Sequence, residues 1–179
     1  GISALGSNII DNVPANEENP KGFFEHKEVQ FLNDEILRNF NTFLGNPYYN
    51  PDLSKIFTQR KKFAEFYKKA EKIMEAYKND KVFVIKDPRN SLLCPFWENV
   101  ITEMFGAEII RIMAIRNPIE VIESLMKRNT THPNLSLESK ENSLRVWLLY
   151  NFLALKNMTD NQNYLINFQE FIDNPKDSL

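Results

Sequence analysis

The sequence predicts an α/β protein built on a largely parallel sheet. Three observations carry this reading. Short apolar runs at Val82–Ile85, Ile109–Ile115 and Tyr164–Phe168 have the length of strands, and the first two are rich in β-branched residues. Stretches with apolar residues at helical spacing separate these runs, and strand, helix, strand at such lengths is the pattern of a βαβ unit. The first two runs also end abruptly in charged, proline-containing segments, Lys86-Asp87-Pro88-Arg89 and Arg116-Asn117-Pro118, which a continuing strand would not tolerate.

Composition limits the function classes. With 179 residues, 42% hydrophobic and 26% charged, the chain has enough apolar surface to offset ordering entropy, which excludes a disordered segment and fits one domain over 1–179. A net charge of -2 and a pI near 5.8 exclude nucleic-acid binding through global charge, so any anion site is local. The lone Cys94 cannot form an intramolecular disulfide, and no Cys/His cluster has zinc spacing; a reducing compartment and no metal are expected. No apolar run approaches the roughly 20 residues of a membrane span. The sequence opens on Gly1-Ile2-Ser3-Ala4-Leu5 and reads as a domain cut at both ends.

The elements follow in order. Residues 11–24 are polar and broken by Pro14, Pro20 and Gly22, so they read as a surface loop. Val29, Leu32, Ile36, Leu37 and Phe40 mark a helix that stops at the Gly45-Asn46-Pro47 turn. From Asp52 to Asn79 one apolar stripe, Ile56 through Tyr77, predicts a single long helix with a solvated Lys/Glu face. Val82-Phe83-Val84-Ile85 reads as a strand buried on both faces. Helices are expected at Ser91–Phe105, Pro118–Arg128 and Glu138–Met158, with a polar loop at Asn129–Leu137 positioned to border an acceptor pocket.

In open α/β sheets ligands gather at the carboxyl ends of strands. Lys86 and Arg116 each stand just past the last apolar residue of a predicted strand, and two cations at such an edge suit an anionic ligand. Asn117 as N-cap, Pro118 at N1 and Glu120 at N3 form a capping-box-like start to the next helix, whose terminus carries partial positive charge. Ser124 lies two turns further on. The alternative reading leaves Arg116 and Ser124 as ordinary surface residues and Lys86-Asp87-Pro88-Arg89 as a charged turn in which Asp87 and Arg89 pair.

Four blocks in order, Asn19-Pro20-Lys21-Gly22-Phe23-Phe24-Glu25, Ile85-Lys86-Asp87-Pro88-Arg89, Ile115-Arg116-Asn117-Pro118 with Glu123-Ser124-Leu125, and Val146-Trp147-Leu148-Leu149-Tyr150-Asn151, resemble the bacterial sulfotransferase family. The resemblance implies a three-layer P-loop NTPase-like fold with helices flanking the sheet. It also implies transfer of a sulfuryl group from PAPS (3'-phosphoadenosine 5'-phosphosulfate) to a hydroxyl or amine of a small-molecule, glycan or peptide acceptor, leaving adenosine 3',5'-bisphosphate. Arg116 and Ser124 then match the residues that bind the 3'-phosphate, and Lys86 the lysine that contacts the bridging or transferred sulfuryl oxygens. In-line transfer needs positioning and charge neutralisation, with no metal required. Glu25 is the candidate general base, against an alternative role as a helix-terminal residue. His26, read as helix surface, and His132 are weaker candidates for the base. Phe168 stands where the family usually has a tyrosine near the nucleotide base, and Lys21 and Arg89 are candidate contacts to an anionic donor or acceptor.

The family's phosphate-cradling loop is expected just before Gly1, with residues 1–10 as the remainder of the helix after it. Two other classes compete with the transferase. A P-loop kinase-like phosphotransferase would share the anion-binding edge, and a non-catalytic nucleotide-binding module would use it without reaction. The lone cysteine and the bacterial resemblance point to the cytoplasm, whereas Asn129-Thr130-Thr131 and two further glycosylation acceptor patterns would suit a Golgi enzyme.

Overall fold

The computed structural model describes residues 2–4, 24–48, 52–131, 137, 139–158 and 162–174. The protein is mixed α/β and mostly helical, with two small sheets of two parallel strands each among the described residues. It divides into two units: Gly1–Leu44 with Asn50–Ala107, and Gly45–Tyr49 with Glu108–Leu179.

In the first unit, β1 (Ile2–Ala4) pairs in parallel with β2 (Val82–Val84), Ile2 opposite Val82. Residues 2–4 are therefore extended, not the helical remainder expected there. Helix α1 (Lys27–Asn39) has Glu28 in its first turn and Arg38 in its last, each favourable to the helix dipole. It buries Val29, Leu32, Asn33, Ile36 and Leu37 along one face. The helix expected over Asp52–Asn79 is instead broken into α2 (Lys55–Thr58), turns, α3 (Ala64–Met74) and a 3₁₀ turn at Glu75–Tyr77. The reason is tertiary. Tyr67 donates its hydroxyl to the Ile56 carbonyl at 3.4 Å, a contact that residues eleven apart, about three turns along a straight helix, could not make. Phe63 meanwhile stacks between Phe40 and Phe66.

Helix α4 (Asn90–Phe105) supplies the other half of this core through Leu93, Phe96, Trp97, Val100 and Ile101. The Phe96 ring meets Tyr67 edge-on at 5.1 Å and Trp97 at 5.5 Å. The helix ends where Gly106 adopts a left-handed φ of 58°, a conformation that favours glycine, and its N–H bonds to the Thr102 carbonyl at 2.9 Å.

In the second unit, β3 (Arg111–Ile115) and β4 (Asn163–Asn167) pair in parallel with Arg111 opposite Asn163 and Ile115 opposite Asn167. Parallel pairing demands a long crossover, which α5 (Pro118–Thr131) and α6 (Lys140–Asn157) provide while packing on each other. Residues 129–131, expected to open a loop, continue α5. Leu137, expected in the same loop, is buried. Ser139 caps α6 by accepting from the Asn142 N–H. The Gly45 N–H, at a φ of 83°, donates to the Tyr150 hydroxyl at 3.0 Å. Helix α7 (Phe168–Asp173) starts directly from β4, with Asn167 as its cap.

Two further expectations change. The strands on either side of α4 were expected to form one βαβ unit, but β2 pairs with β1 and β3 with β4. The Val82–Ile85 strand, expected to be buried on both faces, is not: Val82 and Val84 are each 48% exposed, and Ile112 of β3 and Tyr164 and Leu165 of β4 are exposed as well. A two-stranded ladder offers each strand one paired neighbour, and the flanking helices of each unit bury their apolar faces on one another more than on the strands.

Core and surface aromatics should respond very differently to truncation. Phe96→Ala, at a fully buried position, should cost about 3–5 kcal/mol. Phe152→Ala, at a position 63% exposed, should stay within about 0.5 kcal/mol. Urea denaturation of both variants measures the difference.

Candidate functional site

Each unit carries one cluster of the residues singled out by sequence. In the first unit the chain reaches α1 through Phe24, a non-glycine residue in the left-handed region at φ 54° whose ring is exposed. Glu25, the next residue, is buried. Its Oε1 lies 2.7 Å from Lys86 Nζ, and the pair is asymmetric: 6% of the Glu25 side chain is exposed against 54% of that of Lys86. An acceptor carboxylate thus sits under a cation that faces solvent, just beyond the carboxyl end of β2. Glu25 precedes α1 and so is not one of its first-turn residues.

His26 is not on the helix surface. It is buried as the cap of α1, with Nδ1 accepting from the Val29 N–H at 3.4 Å and its ring edge-on to Tyr77. That lone pair is committed to the helix terminus, which takes Nδ1 out of consideration as a base. Lys21 and His132 lie outside the described residues.

Behind Lys86 runs a buried polar network. The Asp87 side chain is fully buried and accepts from three donors: the Arg89 N–H at 2.7 Å, Arg89 Nη1 at 3.0 Å and Asn33 Nδ2 at 3.2 Å. Arg89 also donates from Nε and Nη2 to the two carboxylate oxygens of Asp34, at 2.6 and 3.2 Å. The Asn33 Oδ1 in turn accepts from the Trp97 indole at 2.8 Å. Burial favours the neutral form of the Arg89 guanidinium, but the Asp87 and Asp34 carboxylates outweigh it and raise its pKa above the ordinary value. Arg89 was expected to contact a ligand. It is 4% exposed and committed to two internal carboxylates, so it is corrected to a structural residue. The paired-turn alternative describes it.

In the second unit, the β3–β4 register places Arg116 and Phe168 side by side immediately beyond the carboxyl ends of two parallel strands. The Arg116 guanidinium lies 5.2 Å from the Phe168 ring centroid, a cation–π distance, and its Nε is 2.9 Å from Glu120 Oε2. Its carbonyl accepts from the Trp147 indole at 3.3 Å, which ties the strand end to α6. Asn117 caps α5 as its sequence position predicts, its Oδ1 accepting from the Ile119 N–H at 2.9 Å. Ser124 is exposed two turns along the same helix. Phe168, expected to end the strand, is instead the first residue of α7.

Sequence reasoning missed Asn33, Asp34 and Trp97. A signal existed for one of them: Asn33 falls inside the apolar arc of Val29, Leu32, Ile36 and Leu37, and an amide at such a position requires a buried partner. Among the described residues no group of three or more His, Cys, Asp or Glu side chains could hold a metal ion, and no helix is long and apolar enough to cross a membrane. Comparison with known protein families, with curated protein sequences and with solved structures finds no match to this chain.

Removing the buried cation should be costly. Arg89→Met leaves Asp87 and Asp34 without their shared guanidinium and is expected to destabilise the protein by about 3–5 kcal/mol, read from the urea midpoint.

Proposed function

We propose that this chain is a PAPS-dependent sulfotransferase acting on a hydroxyl or amine acceptor, and that its fold is the three-layer, P-loop NTPase-like one that accompanies that activity. The observation that carries the reading is the Arg116 group: a guanidinium beyond a parallel strand, against an aromatic ring and at the capped start of a helix. Such a place suits a phosphomonoester attached to a purine nucleoside, because it offers a fork of donors, a positive helix end and a flat apolar face. Arg116 and Ser124 take the 3'-phosphate, and Phe168 lies beside the adenine.

PAPS, when bound, supplies the sulfuryl group. Lys86 neutralises negative charge on its oxygens, which in a loose transition state is the main electrostatic requirement. Glu25 receives the acceptor's proton. The support for this role is that Glu25 is a carboxylate 2.7 Å from the Lys86 ammonium, so that a sulfuryl group met by Lys86 and an acceptor hydroxyl met by Glu25 would be neighbours. The acceptor is a small molecule, a glycan or a peptide, and the compartment is the cytoplasm.

Thermal-shift titration tests the reading. Adenosine 3',5'-bisphosphate at about a hundredfold excess over its Kd, without Mg²⁺, should raise the Tm by about 5–10 °C. Stabilisation by Mg-ATP alone would instead assign a phosphotransferase. Arg116→Ala should weaken binding of the bisphosphate by about tenfold or more in calorimetry, and an unchanged affinity removes Arg116 from the site.

A further inference from the structure

We infer that the buried network of Asp87, Asn33, Arg89 and Asp34 is the positioning device for Lys86, an inference that rests on the sulfotransferase reading for its chemistry. Lys86 has a long, flexible stem with a half-exposed side chain, and its ammonium meets Glu25 at the tip. What keeps such a side chain in one place is the direction in which it leaves the backbone. That direction is set by the peptide joining it to Asp87, and the Asp87 side chain is bound by three donors with no exposed surface.

The restraint comes from both sides of the turn. The Arg89 N–H bonded to Asp87 Oδ1 closes a local side-chain-to-backbone turn, which fixes the backbone immediately after Lys86. Asn33 anchors the other carboxylate oxygen to α1, and the Trp97 indole anchors Asn33 to α4. Arg89 bridges Asp87 to Asp34 on α1. The root of Lys86 is thereby tied to α1 and α4, two of the helices that build the core of its unit with α3, and α1 is also the helix whose capped start follows Glu25. Both members of the Lys86–Glu25 pair are referred to the same rigid body. A displacement of about 1 Å in a group that neutralises transition-state charge costs about a hundredfold in rate, so a network of this kind has a catalytic consequence although none of its members touches substrate. Asp87 and Asn33 are positioning residues.

The test uses the full chain with Asp87→Asn, which keeps the shape and removes the charge, and Asn33→Ser, which removes one donor to Asp87 and leaves the Asp87–Arg89 pair intact. The first readout is the ammonium resonance of Lys86 in nitrogen-edited NMR, assigned by its loss in Lys86→Ala. The second is turnover of PAPS with water as acceptor, alongside calorimetric affinity for adenosine 3',5'-bisphosphate. Asp87→Asn should shift or broaden the Lys86 resonance and slow turnover about a hundredfold, while nucleotide affinity stays within about twofold. It should add nothing to the loss in a Lys86→Ala background, because its effect passes through Lys86.

If Asp87→Asn does not fold, Asn33→Ser carries the same comparison with a smaller effect. A Lys86 resonance unmoved in a folded variant overturns the inference, as do rate losses that multiply in the double variant. A wild-type protein that neither binds the bisphosphate nor consumes PAPS, while its Lys86 resonance still moves in Asp87→Asn, overturns the sulfotransferase reading and supports the positioning device.

Discussion

A carboxylate sealed from water just beyond the end of a strand is the constraint on which the first unit depends. Asp87 would cost several kcal/mol to bury alone, and the cost is offset only because Arg89, Asn33 and the turn's own N–H meet it at hydrogen-bond distance. Those partners come from α1 and from the turn that opens α4, with Trp97 of α4 holding Asn33 in place. The helices are brought together by apolar burial, which is not directional. The network adds direction, because its bonds are met in one arrangement of α1, the turn and α4.

The exposed cations obey a different rule. Lys86 and Arg116 each keep roughly half of the side chain in solvent and each has a carboxylate partner, the buried Glu25 and the exposed Glu120 respectively. The Arg116–Glu120 pair, exposed on both sides, contributes little to stability, since water screens it and ordering two long side chains offsets part of the attraction. The value of the two cations lies in holding charge where a ligand can reach it. The contrast with Arg89 is physical: the same guanidinium group, wrapped between two carboxylates and out of water, is a structural bond and no longer a surface for recognition.

Much of this was legible in the sequence, and the failures share a cause. The positions of β2, β3 and β4 follow from apolar runs, α5 from its Asn-Pro start, and the end of α4 from Gly106, because each depends on residues within a few positions of one another. The break between α2 and α3 does not follow, since it goes with contacts that fold the segment back on itself, such as the bond from Tyr67 to the Ile56 carbonyl. The exposure of Val82 and Val84 was equally out of reach, because an apolar run states that a strand exists and leaves open how many neighbours it has. His26 was read as helix surface and Arg89 as a ligand contact, since both are polar types that are buried only when partners such as Tyr77 and Asp34, distant in the chain, meet them.

By itself the sequence determined the α/β alternation, the near-balance of positive and negative charge, and the placement of Lys86 and Arg116 at strand ends, all properties carried by local pattern and composition. Only the tertiary structure decided which strand pairs with which, that Glu25 is buried under Lys86, that Phe168 stands against Arg116, and that Arg89 belongs to the interior. Each of these is a contact between residues dozens of positions apart, and such contacts are selected by the sum of burial and hydrogen-bond satisfaction over the whole unit.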